Sequence, residues 1–196
     1  METATKPEYL ELLNGIANGE SANGINLLAW ANATQDKELE AGLRFVGARE
    51  SSHGEVFARR IVEMGFEVTP PKHDPEAAAR LAKLANPRIS DFEKLGPERS
   101  FDFFFDDMDK KVADGYFDPL TARMMTWYIA EERDSGTQLK ECTARIRAAG
   151  APNAANGASA NGTNGHAPAA DTVALMQCMT AGFDRIERAL ELVGSR

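Results

Sequence analysis

What most limits this chain is a set of stripes, at spacings of three and four residues, in which acids stand among apolar side chains. Leu43, Val46, Glu50, His53, Phe57, Ile61 and Met64 form one stripe, and Leu13, Ile16, Glu20 and Leu27 form another upstream. A third comprises Met125, Ile129, Glu132, Gly136, Leu139 and Ile146. This spacing is the repeat of one helix face, whereas period-2 alternation and β-branched clusters are scarce. Apolar stripes face a core. An unpaired ionised carboxylate there costs several kcal/mol, against a total domain stability of about 5–15 kcal/mol. The pattern therefore implies amphipathic helices packed around acids that need a cation, a proton or water.

Turn and cap residues divide the chain. Thr5-Lys6-Pro7-Glu8 has the form of a capping box, and helical spacing follows from Tyr9 to about Asn32. That stretch contains Asn14-Gly15, Asn18-Gly19 and Asn23-Gly24, pairs that usually mark turns and could kink or fray it. Gly15 and Gly19 share a face and suit close helix packing. After the break Thr34-Gln35-Asp36, a second helix is expected from Lys37 to Met64, stopped by Gly65. Residues 66–96 read as a connection, with a short helix opened by Asp74-Pro75-Glu76 and ended by Pro87. Gly96-Pro97 opens a third helix to about Asp114, and Asp118-Pro119 a fourth to about Ala149. The expected fold is all-α: a four-helix bundle of two helical hairpins with a long crossover, over residues 1–149. Residues 150–171 are nearly all Ala, Asn, Gly, Ser and Pro and read as a flexible linker. Residues 172–196 read as a C-terminal amphipathic helix, with Val173, Met176, Phe183, Ile186, Leu190 and Val193 on one stripe.

Glu50-Ser51-Ser52-His53 is an E-x-x-H, which on a helix aims a carboxylate and an imidazole the same way. Reflecting Glu50 about a turn at Gln35 lands on Glu20, so both acids lie at one level, roughly 22 Å from the turn at about 1.5 Å per residue. Reflecting Glu132 about a turn near Tyr116 gives position 100. Glu98 and Asp102 each lie two residues away, and Glu98 is preferred because it extends the stripe Phe101, Phe105, Met108 and Val112. Ser135 stands three residues after Glu132, where a histidine would complete a second E-x-x-H. Glu20, Glu50, His53, Glu98 and Glu132 are thus the candidate metal ligands. Iron, or manganese, suits such a mixed oxygen and nitrogen set. Glu131 and Asp134, off the stripe, are expected on a solvated face. Arg49 and Arg133 adjoin the acids directly and are expected to point elsewhere.

These residues resemble the ferritin-like superfamily in its rubrerythrin-like branch. The family pattern is one Glu on each of two helices and Glu-x-x-His on each of the other two. Glu20 and Glu50-x-x-His53 resemble the first half, and Asp36-Lys37-Glu38-Leu39 the hairpin turn. Ala130-Glu131-Glu132-Arg133-Asp134-Ser135 resembles the second half with Ser for His. The resemblance covers roughly residues 7–149. It implies two iron ions, oxygen or peroxide chemistry of a ferroxidase or peroxidase kind or iron handling, and a homo-oligomer such as a dimer. Rubredoxin-type Cys-x-x-Cys pairs are absent from the chain, so electrons would come from an external donor.

Composition bounds the alternatives. With 30 acidic against 22 basic residues the formal charge is −8, which disfavours nucleic acid and an anionic membrane. No run approaches the roughly 20 apolar residues of a membrane span, and Met1-Glu2-Thr3-Ala4 does not open a signal peptide. A cytoplasmic protein is expected. Trp30, Trp127, Tyr128 and Phe103-Phe104-Phe105 read as core or interface packing, His73 and His166 as solvated, and Cys142 and Cys178 as buried or idle thiols. The competing function is a metal-free helical adaptor that binds a protein partner through its C-terminal helix.

Overall fold

Asp36 separates the first two helices. Its carboxylate accepts from the amides of Glu38 and Leu39, each at 3.1 Å, satisfying two of the donors that a helix N-terminus leaves open. It lies between α1 (Leu10–Ala33) and α2 (Lys37–Glu63) in the computed structural model, which describes residues 5–71, 73–96 and 101–150. All regular structure among the described residues is helical. No described helix is long and apolar enough to cross a membrane.

α1 and α2 pack closely along their length. A Cβ on Gly24 would lie 2.9 Å from both the Gly47 carbonyl and the Ser51 amide nitrogen, and one on Gly54 would lie 3.0 Å from the Ala17 carbonyl. These contacts define an antiparallel register that sets Glu20 beside Glu50. α1 runs unbroken through all three Asn-Gly pairs. The Asn14 and Asn18 amides donate to the carbonyls four residues back, at 3.0 and 2.9 Å. Asn18 also reaches the Thr69 carbonyl at 2.9 Å, and Asn14 accepts from the Thr69 amide at 2.7 Å. The asparagines therefore pin the crossover to α1 instead of turning the chain.

The crossover begins at Gly65, whose φ of +85° suits glycine. It holds α3 (Ala77–Ala85), which ends at Asn86 before Pro87, as X-Pro sterics favour. α3 starts two residues later than Asp74-Pro75 suggests, because Asp74 accepts from the Glu76 amide and pairs with Arg80. A further short helix, α4 (Asp91–Lys94), was not expected; Ser90 and Glu93 form its capping box. Asp91 accepts from the Trp30 indole at 2.7 Å and the Thr34 hydroxyl at 2.6 Å, fixing α4 to the end of α1.

α5 (Asp102–Ala113) and α6 (Pro119–Gly150) complete the second hairpin. Asp118 caps α6 by accepting from the Leu120 and Thr121 amides, and it also accepts from the Tyr9 hydroxyl at 2.7 Å and from Arg60 at 2.9 Å. One carboxylate thus joins α1, α2 and α6. Two expectations at helix starts need correction. The Thr5 capping box does not form: α1 begins after Tyr9 with no side-chain cap. α5 begins at Asp102, after a non-helical Phe101, so it does not open at Pro97. Glu98 lies outside the described residues, as do Cys178, His166, the 172–196 helix and all but the first residue of the 150–171 linker.

The core has two apolar clusters. One gathers Leu13, Ile16, Phe57, Ile61, Met108 and Met125. The other gathers Leu27, Trp30, Leu39, Leu43, Val46 and Cys142. Phe104 and Phe105 are buried, whereas Phe103 is 83% exposed. The level of Glu20, Glu50, His53 and Glu132 falls between the two clusters.

Gly24→Ala is expected to destabilise the protein: overpacking costs about 1–3 kcal/mol, more than the ~1 kcal/mol of helix propensity regained. Gly136 on α6 has nothing within 4 Å of a Cβ, so Gly136→Ala should instead stabilise by up to about 1 kcal/mol; urea unfolding measures both. A second prediction concerns Asp118. Burial opposes its ionisation, but bonds from Thr121, Tyr9 and Arg60 outweigh that and hold it well below the usual carboxylate range. Its stabilisation is therefore complete above the unfolded value of about 3.9 and is lost as pH falls through the lower folded value. Asp118→Asn should cost about 1–2 kcal/mol at pH 7, with the gap from the parent narrowing in acid.

Candidate metal centre

α1 supplies Glu20, α2 supplies Glu50 and His53, and α6 supplies Glu132. All four are inside the bundle, between 0 and 4% exposed. Their burial follows from the stripes: the i, i+3 spacing turns Glu50 and His53 to one side of α2, and the register of α1 brings Glu20 to the same level. His53 Nδ1 lies 2.9 Å from Glu132 Oε1 and 3.9 Å from Glu20 Oε2. One ligand atom from each of Glu20, His53 and Glu132 lies within 4.8 Å of the others, and the group could hold a metal ion. Glu20 Oε2, Glu50 Oε1, His53 Nδ1 and Glu132 Oε1 are buried without a hydrogen-bond partner. Four such atoms at one level violate the rule that buried polar groups are paired.

A second set of side chains holds the first. His53 Nε2 is 2.8 Å from Glu131 Oε2. With its proton on Nε2, the ring donates to Glu131 and presents the Nδ1 lone pair to the centre, the arrangement typical of a metal-ligating histidine. Tyr128 donates its hydroxyl to Glu20 Oε1 at 2.8 Å, and Asn23 donates to Glu50 Oε2 at 3.5 Å. Trp127 and Tyr128 meet the imidazole edge-on, with centroids at 4.9 and 5.1 Å. These contacts engage the far side of the Glu20, Glu50 and His53 side chains and turn Glu20 Oε2, Glu50 Oε1 and His53 Nδ1 toward the centre.

Electrostatics agrees with that geometry. Burial, and then the Glu20 charge, push Glu50 well above the usual carboxylate range. Burial and the Glu132 charge raise Glu20. Burial, and then the Glu50 charge, raise Glu132 to about 7, although His53 and Arg49 oppose the rise. Burial disfavours a charged His53, yet Glu132, Glu20 and Glu131 outweigh it and raise the imidazole to about 10. Without an ion, protons must therefore neutralise the cluster. A divalent cation would also offset the charge. Ligand atoms each about 2.1 Å from one ion stand about 2.9 Å apart at a right angle and about 4.2 Å apart when opposite, and the 2.9 and 3.9 Å separations fall in that span.

Of the five ligands proposed from sequence, four acids and one histidine, all but Glu98 meet here. Ser135 is also buried, on the face shared with Glu132. Two expectations fail. Glu131 is not on a purely solvated face: it is only 32% exposed at the side chain and lies against His53. Arg49 does not point away. It crosses to α6 and donates to the Glu131 carbonyl, Asp134 and Ser135 at 3.0, 2.8 and 3.1 Å. Arg133 does pair elsewhere, with Asp106 and Asp109. Tyr128, read as packing, also holds Glu20; its place four residues before Glu132 was the available signal. Comparison with protein families, with curated proteins and with solved structures gave no match.

Proposed function

We propose that the protein is a carboxylate–histidine metal protein of the ferritin-like kind, which uses iron for oxygen- or peroxide-dependent redox chemistry or iron handling. The observation that carries this reading is the set of four buried, unpartnered atoms on Glu20, Glu50, His53 and Glu132. A metal-free core would gain by pairing or removing them.

Each side chain has a role in this reading. Glu20, His53 and Glu132 hold the ion, and Glu50, beside Glu20, is a further oxygen donor. Glu131 keeps the His53 proton on Nε2, so that Nδ1 is the free ligand atom. Tyr128 restrains Glu20 and holds a proton at its hydroxyl, since burial and the nearby Glu20 charge raise that phenol well above its ordinary value. The rings of Phe57, Trp127 and Tyr128 keep bulk water from the His53 side. Iron bound there would supply one-electron redox chemistry toward dioxygen or peroxide. Re-reduction would fall to an external donor.

Anaerobic ferrous titration of chelator-stripped protein, followed by air, tests the reading. At a hundred times Kd, bound ion should add about 2.7 kcal/mol, roughly 5–10 °C in melting temperature for a chain of this size. Air should then produce a ferric absorption band. His53→Ala and Glu132→Gln should weaken binding at least about tenfold. No shift and no band in the parent protein would overturn the reading and favour the metal-free adaptor.

A further inference from the structure

We infer that the centre takes one metal ion per chain, with the Arg49 guanidinium occupying the place where a second ion would need its nitrogen ligand. The inference rests on the metal-centre reading above. Two ions between four helices need two comparable ligand sets, and the described residues supply them unequally.

The first set is complete. It has an imidazole nitrogen and two carboxylate oxygens at separations suited to one ion, and every one of those atoms lacks another partner. The second would be centred on Glu132-x-x-Ser135. Ser135 is 1% exposed, so its hydroxyl is inside, but that hydroxyl already accepts from Arg49. A guanidinium has no lone pair to offer and does not deprotonate in proteins. It can neither ligate a metal nor step aside as a neutral group. Three acceptors on α6 fix it: the Glu131 carbonyl, the Asp134 carboxylate and the Ser135 hydroxyl. Its side chain is only 17% exposed, so water screens its charge weakly. A dication at the Ser135 end would meet a fixed positive charge and, among the described residues, no nitrogen donor comparable to His53.

The same arginine serves the ion that remains. Arg49 Nε lies 3.7 Å from Glu131 Oε2, the oxygen that faces His53 Nε2. Arg49, Glu131 and His53 thus form a chain that ends at the Nδ1 ligand atom. The guanidinium stands beside the Glu131 oxygen that orients the imidazole.

Native mass spectrometry of the full chain, loaded anaerobically with cobaltous or ferrous ion alone, tests the inference by counting ions. One ion per chain is expected. Two per chain would overturn the single-ion centre while leaving the proposed function standing; none would overturn the proposed function and this inference with it. Manganous ion gives a second readout that does not depend on any variant. Its electron paramagnetic resonance should be that of an isolated ion, and an exchange-coupled pair would contradict the inference. The double variant Arg49→Ala, Ser135→His, with unchanged helical circular dichroism, should rise to two ions per chain. Staying at one would overturn the role assigned to Arg49.

Discussion

Three carboxylates buried at one level of a helical core repel one another, and every nearby element accommodates that repulsion. The level lies where the two apolar clusters end, so neither cluster has to absorb the charge. Protons, an imidazole pushed to about 10, a phenol donor and an amide donor together neutralise or bond the acids. Four atoms nonetheless have no hydrogen-bond partner in this geometry, two of them, on His53 and Glu132, standing 2.9 Å from each other. The cost of leaving them so, of order 1–3 kcal/mol for each buried polar group, is comparable to a large share of a domain's stability. Glu20, His53 and Glu132 are spaced so that they could hold a metal ion, which would offset that cost.

Register brings the acids together. α1 and α2 approach until a single Cβ at Gly24 or Gly54 would collide with the opposing backbone. That closeness, with the Asp36 cap at the turn, sets Glu20 against Glu50 and His53. α6 is aligned separately. Asp118 ties its start to Tyr9 and Arg60, and Arg49 clamps it further along, so Glu132 arrives at the same level. Two carboxylates and one guanidinium, none of them a proposed ligand, therefore fix the geometry of the centre.

Much of this was legible in the sequence because both signals are local. Helix faces repeat every three or four residues, so the inward placement of Glu20, Glu50, His53 and Glu132 followed from spacing and from reflection about a turn. Helix ends were legible where a side chain caps them, as at Asp36 and Asp118. They were misread at Thr5 and Pro97, where a plausible cap sequence stands clear of the first helical residue. α4 was missed because a four-residue helix has no periodicity to read. The roles of Glu131 and Arg49 were hidden for another reason. Both are long side chains at the border of a stripe, and their partners are on another helix. Adjacency to an inward acid implied that they turn away, whereas reach across the groove returns them to the site.

The proposed metal ion sits between α1, α2 and α6. Anomalous diffraction at the iron edge, from crystals of the full chain grown with ferrous ion under anaerobic conditions, addresses it directly. A single anomalous peak is expected about 2.1 Å from His53 Nδ1, with oxygens of Glu20 and Glu132 as neighbours and Arg49 still bonded to Ser135. A core without a peak, or iron held only by exposed carboxylates, would contradict it.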